Sequence, residues 1–288
     1  MGEGTDIRRP AGLADKQRAE NFPVALRVLP ARLRERLTAV YGFARTVDDL
    51  GDEAEGDRSA KLAAFGKDLA RIWENDVPES PVLRRLKVTV EECDLPHEPF
   101  RRLVEANLQD QKVVRYPTYS DLKAYCVLSA DPVGRIVLGV FSRSTPDRVR
   151  RSDQVCTALQ LVEHWQDVAE DRRAGRIYLP LEDLARFKVR EVDLDGATTP
   201  QALRTLLSFE TDRAAALLDE GAPLVGMLGG WARLAVAGFV AGGYATVDAL
   251  RRSRFDVLRE TPRPRKRDIL RHTAMLLIRP KVRPKGAR

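Results

Sequence analysis

Cysteine, histidine and aromatic residues are all scarce in this chain. Its three cysteines, Cys93, Cys126 and Cys156, are widely spaced and odd in number. No Cys-x-x-Cys pair exists, which argues against both a disulfide framework and a thiolate metal site. The cysteines read instead as small apolar fillers. The three histidines, His97, His164 and His272, show neither His-x-x-x-His nor His-Glu-x-x-His spacing, so a zinc hydrolase is not indicated. No Gly-x-Gly-x-x-Gly follows a strand pattern, so a nicotinamide site is not indicated either. Long apolar runs are also missing. The longest, residues 231–247, is interrupted by Arg233 and carries Gly238, Gly242 and Gly243. It falls short of the ~20 residues that span a bilayer and reads as a buried core helix. The first residues lack the apolar core of a signal peptide, so a reducing cytosol is the expected location.

What is present is a chain of 288 residues, 43% hydrophobic and 32% charged, enough apolar material for a sizeable core. Lys and Arg total 49 against 42 Asp and Glu, for a net charge of +7, which suits an anionic partner: a phosphorylated small molecule, nucleic acid or an acidic membrane surface.

Helical periodicity dominates. Leu33, Leu37, Val40, Tyr41 and Ala44 share one helix face. Thr145-Pro146 predicts the start of a helix reaching about Arg173, stopped by Gly175. Thr199-Pro200 predicts another over residues 201–218. No useful alternating run and no internal repeat appears, so the expected fold is all-α. Residues 1–20 read as a flexible N-terminal segment, 21–260 as the folded domain and 261–288 as a basic, Pro- and Arg-rich tail. The tail is expected to be solvated, with peripheral attachment to anionic lipid as its functional alternative.

Two segments carry chemistry. In residues 39–53, Asp48 and Asp52 are four apart, so a helix puts both carboxylates on one face, with Arg45 and Tyr41 on the same side. In residues 159–180, Asp167 and Asp171 repeat the spacing, with Glu163 one turn earlier. Like charges at this spacing destabilise a helix by a few tenths of a kcal/mol, so two such pairs among apolar neighbours call for a compensating cation. Oxygen donors without thiolate or imidazole suit Mg²⁺, which keeps part of its shell for water and phosphate. Arg45, Arg172 and Arg176 are placed to meet the remaining charge of a diphosphate.

The runs Glu-Asn-Phe-Pro-Val-Ala at 20–25, Val-Tyr-Gly-Phe-Ala-Arg-Thr-Val-Asp-Asp at 40–49, and Trp-Gln-Asp-Val-Ala-Glu-Asp at 165–171 followed by Gly-Arg-Ile-Tyr-Leu-Pro at 175–180 resemble the squalene/phytoene synthase family. The resemblance runs from about Asn21 to about Asp256. It implies a single-domain all-α isoprenoid synthase fold with a central active-site cavity and Mg²⁺-bound diphosphate. The family's two acidic motifs fall on Asp48, Asp49 and Asp52, and on Asp167 and Asp171, with Glu163 retained as a candidate metal ligand. Substrate-contacting positions match Tyr41, Arg45, Gln160 and Tyr244, and Arg135 joins them as a substrate-binding candidate. The family's usual Asn is Glu163 here, and its usual Arg is Gln166, which implies the loss of a phosphate-binding charge.

A further departure lies at residues 125–138. Condensing members usually carry a Tyr, a candidate for proton handling, where this chain has Val127. The run Ser-Ala-Asp-Pro-Val-Gly-Arg at 129–135 looks like the hydroxysqualene synthase branch of the family. That branch implies presqualene diphosphate as substrate, a cation captured by water, work at the inner face of a membrane, and partner enzymes that supply the diphosphate and reduce the alcohol. Head-to-head condensation of two prenyl diphosphates uses the same aspartates and is the nearest rival. A basic nucleic-acid binder is not favoured, because acidic pairs repel phosphate and basic residues are not interleaved with aromatics.

Overall fold

The computed structural model describes residues 29–278, and among them every regular element is a helix. Residues 1–20, the run at 20–25 and residues 279–288 lie outside the described residues.

Helix α1 (Ala31–Asp52) buries Leu37 and Val40, as its spacing predicts, together with Phe43 and Val47, while Leu33, Tyr41 and Ala44 of the predicted face are half-buried. Phe43 meets the edge of Phe100 at 5.3 Å. Phe100 belongs to α4 (His97–Asp110), and α2 (Arg58–Ala70) and α3 (Pro81–Cys93) close the same core. Each fully buried Leu or Phe there contributes about 1.5–3 kcal/mol. Helix α5 (Tyr119–Ser129) opens on a capping box, with Thr118 and Asp121 satisfying each other's backbone N–H groups. A one-residue interruption at Ala130 separates it from α6 (Asp131–Val140), because Pro132 is tolerated only in a helix's first turn.

Helix α7 (Pro146–Gln166) starts as its sequence predicts, the Thr145 hydroxyl accepting from the Arg148 N–H. It does not run on to Arg173. At Asp167 the backbone leaves helical values (φ −100°, ψ 17°), and a new helix, α8 (Val168–Arg173), follows. Gly175 ends that segment at φ +81°, a conformation that glycine adopts without a Cβ penalty. Beyond α9 (Leu181–Arg186) and a 3₁₀ turn (Glu191–Leu194) come α10 (Gln201–Gly221), α11 (Leu224–Met227), α12 (Gly230–Arg252) and α13 (Lys266–Ile278). Thr199 does not cap α10; its hydroxyl accepts from the Leu258 N–H at 3.1 Å and Pro200 takes the cap position.

Helix α7 packs against α5, α6, α10 and α12. Residues 231–247 lie in α12, which is largely buried, although Trp231 is exposed. The basic tail is only partly a tail. Residues 266–278 form α13, which buries Leu276 against α12 because its apolar residues share a face. Among the described residues no helix is long and apolar enough to cross a membrane.

Candidate active site

A cavity of about 400 Å³ opens between α1, α4, α5 and the α7–α8 break. From α1 it receives Asp48 and Asp52, one turn apart as predicted. The Asp48 Oδ1 accepts a 3.3 Å hydrogen bond from the Asn107 amide of α4. That approach depends on Gly51: a Cβ there would stand 2.4 Å from the Asn107 Oδ1. Water reaches Asp48 from inside the cavity, yet protein encloses it, and burial pushes its carboxyl up to about 6, the Asn107 bond opposing and the Asp52 charge adding to the rise.

From the other side come Gln160, Glu163, Asp167 and Asp171. The helix break falls on Asp167, so this acidic segment is not a continuous helix face. Burial pushes Asp167 up to about 6, helped by the charges of Glu163 and Asp171. The Gln160 amide lies 3.1 Å from His164 Nε2, and His164 Nδ1 lies 3.7 Å from Asp171. The His164 ring stacks on Tyr178 with centroids 3.7 Å apart.

Residues 176–178 reach the cavity through backbone pairing. The Ile177 N–H donates to the Val114 carbonyl at 3.0 Å and the Leu181 N–H to the Tyr116 carbonyl at 2.9 Å. This strap, which starts where Gly175 turns the chain, sets the Arg176 guanidinium 2.8 Å from Asp52. Burial works against the Arg176 charge, but the Asp52 hydrogen bond and neighbouring acids hold it firmly protonated. Asp110, at the end of α4, accepts from the Tyr125 hydroxyl at 2.6 Å, and burial pushes its carboxyl up to about 6.

Tyr41 and Arg45 line an adjoining cavity of about 200 Å³ that shares Asp48, Leu103 and Val133 with the first. Arg45 pairs with Asp49 at 2.6 Å and Glu53 at 3.3 Å. A third, apolar cavity of about 120 Å³ between α6, α7 and α12 also touches Val133.

Several candidates stand elsewhere. Arg135 is held by Asp153 through two bonds of 3.0 and 2.9 Å and lines a separate cavity beside Leu95 and Ser142. The Tyr244 hydroxyl donates to Asp219 at 2.6 Å and its ring stacks on His272, away from the residues that line the central cavity. Arg172 is engaged by Asp195 and Glu191 on the outside, so of the three arginines expected to meet diphosphate only Arg176 lines the central cavity. Gln166 donates to the Pro262 carbonyl and is not part of the cavity lining. At this position the chain carries a neutral side chain turned toward Pro262. Val127 is likewise absent from the lining: Tyr125 and Ser129, one turn apart, face the cavity, and residue 127 lies on the other side of α5. Asn107, Asp110, Tyr125, His164 and Tyr178 line the site without having been singled out from the sequence. Asn107, Asp110 and Tyr125 are lone polar residues on helices without an acidic motif and reach the site by tertiary packing, whereas His164 and Tyr178 lie within residues 159–180, where closeness to the acidic residues is the signal that could have found them.

The cavity thus gathers six carboxylates, from Asp48, Asp52, Asp110, Glu163, Asp167 and Asp171, against one arginine. Such a surplus of oxygen donors, with three carboxyls pushed upward, fits a hard divalent cation. Among the described residues no three His, Cys, Asp or Glu side chains stand close enough together to hold a metal ion between them.

An all-helical fold with two acidic segments facing one cavity defines an isoprenoid synthase architecture. The chain belongs to the squalene/phytoene synthase family, which it matches over residues 16–268, and whose members are enzymes that process prenyl diphosphates. It is 42% identical to the crystal structure of squalene synthase HpnC from Alicyclobacillus acidocaldarius, with a TM-score of 0.77 over 82% of this chain and 89% of that one. It is 35% identical to a hydroxysqualene synthase of Rhodopseudomonas palustris, over 72% of this chain and 70% of the relative. It is 29% identical to a 15-cis-phytoene synthase of Synechococcus elongatus, over 84% and 83%.

Proposed function

We propose that the protein is a Mg²⁺-dependent hydroxysqualene synthase, converting presqualene diphosphate and water to hydroxysqualene and diphosphate. The observation that carries this reading is the 35% identity with the hydroxysqualene synthase of Rhodopseudomonas palustris over 72% of this chain, beside the 42% identity with the HpnC structure. Asp48 and Asp52 on one wall, and Glu163, Asp167 and Asp171 on the other, are the residues that would hold the metal. The bound metal supplies Lewis-acid stabilisation of the departing diphosphate. Arg176 adds a fixed cation beside Asp52, an electrostatic contribution present before the bond breaks. The apolar walls around Val133 accommodate the prenyl chains and exclude bulk water from the carbocation. Asp110, held by the Tyr125 hydroxyl, takes the proton of the one water that captures that cation.

The same reading makes this a cytoplasmic protein working where its lipid-like substrate resides, between an enzyme that forms presqualene diphosphate and one that reduces hydroxysqualene. The phytoene synthase relative, which matches the larger share of the chain, favours a second reading: condensation of two prenyl diphosphates. Product analysis separates the two. Purified protein with Mg²⁺ and presqualene diphosphate, without any reductant, is expected to release hydroxysqualene. Inertness toward presqualene diphosphate together with turnover of farnesyl or geranylgeranyl diphosphate alone would replace the first reading by the second.

A further inference from the structure

Helix α13 has two apolar sides, and among the described residues only one is packed against the rest of the protein. Its inner side buries Leu276 and is fastened to α12 by Arg252–Asp268 at 3.0 Å and His272–Asp248 at 2.8 Å, and by Arg233, which donates to the Leu277 carbonyl at 2.8 Å. Positions 267, 270, 271, 274, 275 and 278 follow the three-and-four spacing of the opposite face. On it Leu270 is 70% exposed, Met275 51% and Ile278 82%. These are three of the eight large hydrophobic side chains exposed among the described residues, gathered on one short helix while most of the others are isolated valines. Trp231, another of the eight, lies two residues before Arg233 and so at the same end of the helix pair as Ile278.

Charge says what covers this face. Residues 261–288 hold ten Lys and Arg and a single acid, Asp268, which is turned inward to Arg252. The whole chain carries only +7, so all of its net positive charge sits in this last tenth and the remainder is slightly acidic. Arg263, Arg265, Lys266 and Arg267 precede the apolar face, and Arg279, Lys281, Arg283, Lys285 and Arg288 follow it. A second copy of the chain would bring two such basic segments together, and they repel. Nucleic acid would satisfy the arginines but leave Leu270, Met275 and Ile278 against a charged backbone. A bilayer with anionic headgroups satisfies both features at once, taking the apolar side chains into the acyl boundary and the basic ones at the phosphate level.

We propose that the outward face of α13, with Arg263, Arg265, Lys266 and Arg267 leading into it, docks the protein on an anionic membrane surface, the helix lying in the plane of the interface. The inference holds whichever prenyl diphosphate is turned over. It also gives the Gln166–Pro262 contact a consequence: the helix that meets lipid begins four residues after a tether to the second acidic segment.

The test is flotation of the full-length protein with vesicles of phosphatidylglycerol and phosphatidylcholine in equal parts, or of phosphatidylcholine alone. Binding to the anionic vesicles is expected, weakened about tenfold or more by removing the anionic lipid or by high salt. Leu270→Glu combined with Ile278→Glu is expected to lower binding about tenfold or more, with turnover in detergent solution and the melting temperature unchanged. Ala274→Leu, which adds apolar area on the same face without introducing charge, is expected to tighten binding about two- to fivefold. Equal binding to both vesicle types, or no response to either variant, overturns the proposal. So does a dimer in sedimentation that Leu270→Glu returns to monomer, which gives the face to a second copy. Duplex DNA that displaces the protein from anionic vesicles at equal phosphate concentration overturns it in favour of nucleic acid.

Discussion

The two acidic segments share one spacing and differ in almost everything else. Asp48 and Asp52 sit on an uninterrupted helix, and each has a partner of its own: the Asn107 amide for Asp48 and the Arg176 guanidinium for Asp52. Asp167 stands at a break between helices, where the charges of Glu163 and Asp171 raise its carboxyl and His164 opposes them. An Asp-x-x-x-Asp pattern therefore specifies the residue types of a cation site without specifying its backbone. One wall is a rigid, half-neutralised shelf. The other gathers Glu163, Asp167 and Asp171 around a break between helices, negative charge that a cation would offset.

The largest expected effect comes from removing one charge on each wall. Asp167→Asn is expected to lower kcat/KM about 10²–10³-fold, the range seen when one preorganised electrostatic group is lost at a reacting centre. Asp48→Asn is expected to cost less, because Asn107 can still hydrogen-bond the substituted side chain. Steady-state kinetics at saturating Mg²⁺ measures both. Equal losses would show that the asymmetry of partners does not reach the chemistry.

The asymmetry also makes a statement about pH. Asp48, Asp110 and Asp167 hold their protons up to about 6 in the folded, metal-free protein, whereas an unfolded chain releases them near 3.9. The folded state then binds more protons across that window, so stability falls as pH rises from about 4 to about 6. The melting temperature in EDTA is expected to drop by a few degrees across the window, on the order of what ~1–2 kcal/mol produces in a chain of this size. Mg²⁺ is expected to reverse the drop above pH 6 and to do little below it, because its carboxylate ligands must first be deprotonated. Asp167→Asn is expected to remove its own share of the drop and leave that of Asp48 and Asp110. A melting temperature that instead rises with pH between 4 and 6 without metal would mean that these carboxyls are held ionised by partners in the folded state.

Much of this was legible in the sequence where the causes are local. The Thr145 cap and the left-handed Gly175 each depend on a few neighbouring residues, and the structure bears them out, as it does Leu37 and Val40 on the buried face of α1. The break at Asp167 was not legible, because helix propensity continues through it and tertiary packing decides where the chain bends. Nor were Asn107 and Asp110, which reach the site from a helix that carries no motif. Arg135 and Tyr244 were drawn to the site by resemblance alone, and local ion pairs and stacking hold them elsewhere. The basic tail was misread in part because charge hides periodicity: Ile269, Leu276 and Leu277 make a packing face among arginines.

The smallest expected effect concerns Gln166, the departure next to Asp167 itself. Its position in the motif suggests a missing diphosphate ligand, whereas its amide is spent on the Pro262 carbonyl, at the entry to α13. Gln166→Ala leaves that buried carbonyl without a donor, a loss of about 1–2 kcal/mol that thermal unfolding should detect, and is expected to leave kcat and KM within about twofold, the scale of a group that touches no substrate. Gln166→Arg, the family's usual residue, keeps a donor near Pro262 and should preserve stability without tightening substrate binding. A drop in KM of about tenfold or more for Gln166→Arg would mean that an arginine here does reach the diphosphate. The second wall would then be a phosphate grip deprived of its cation by one substitution, and the contrast with α1 would lie in charge rather than in backbone.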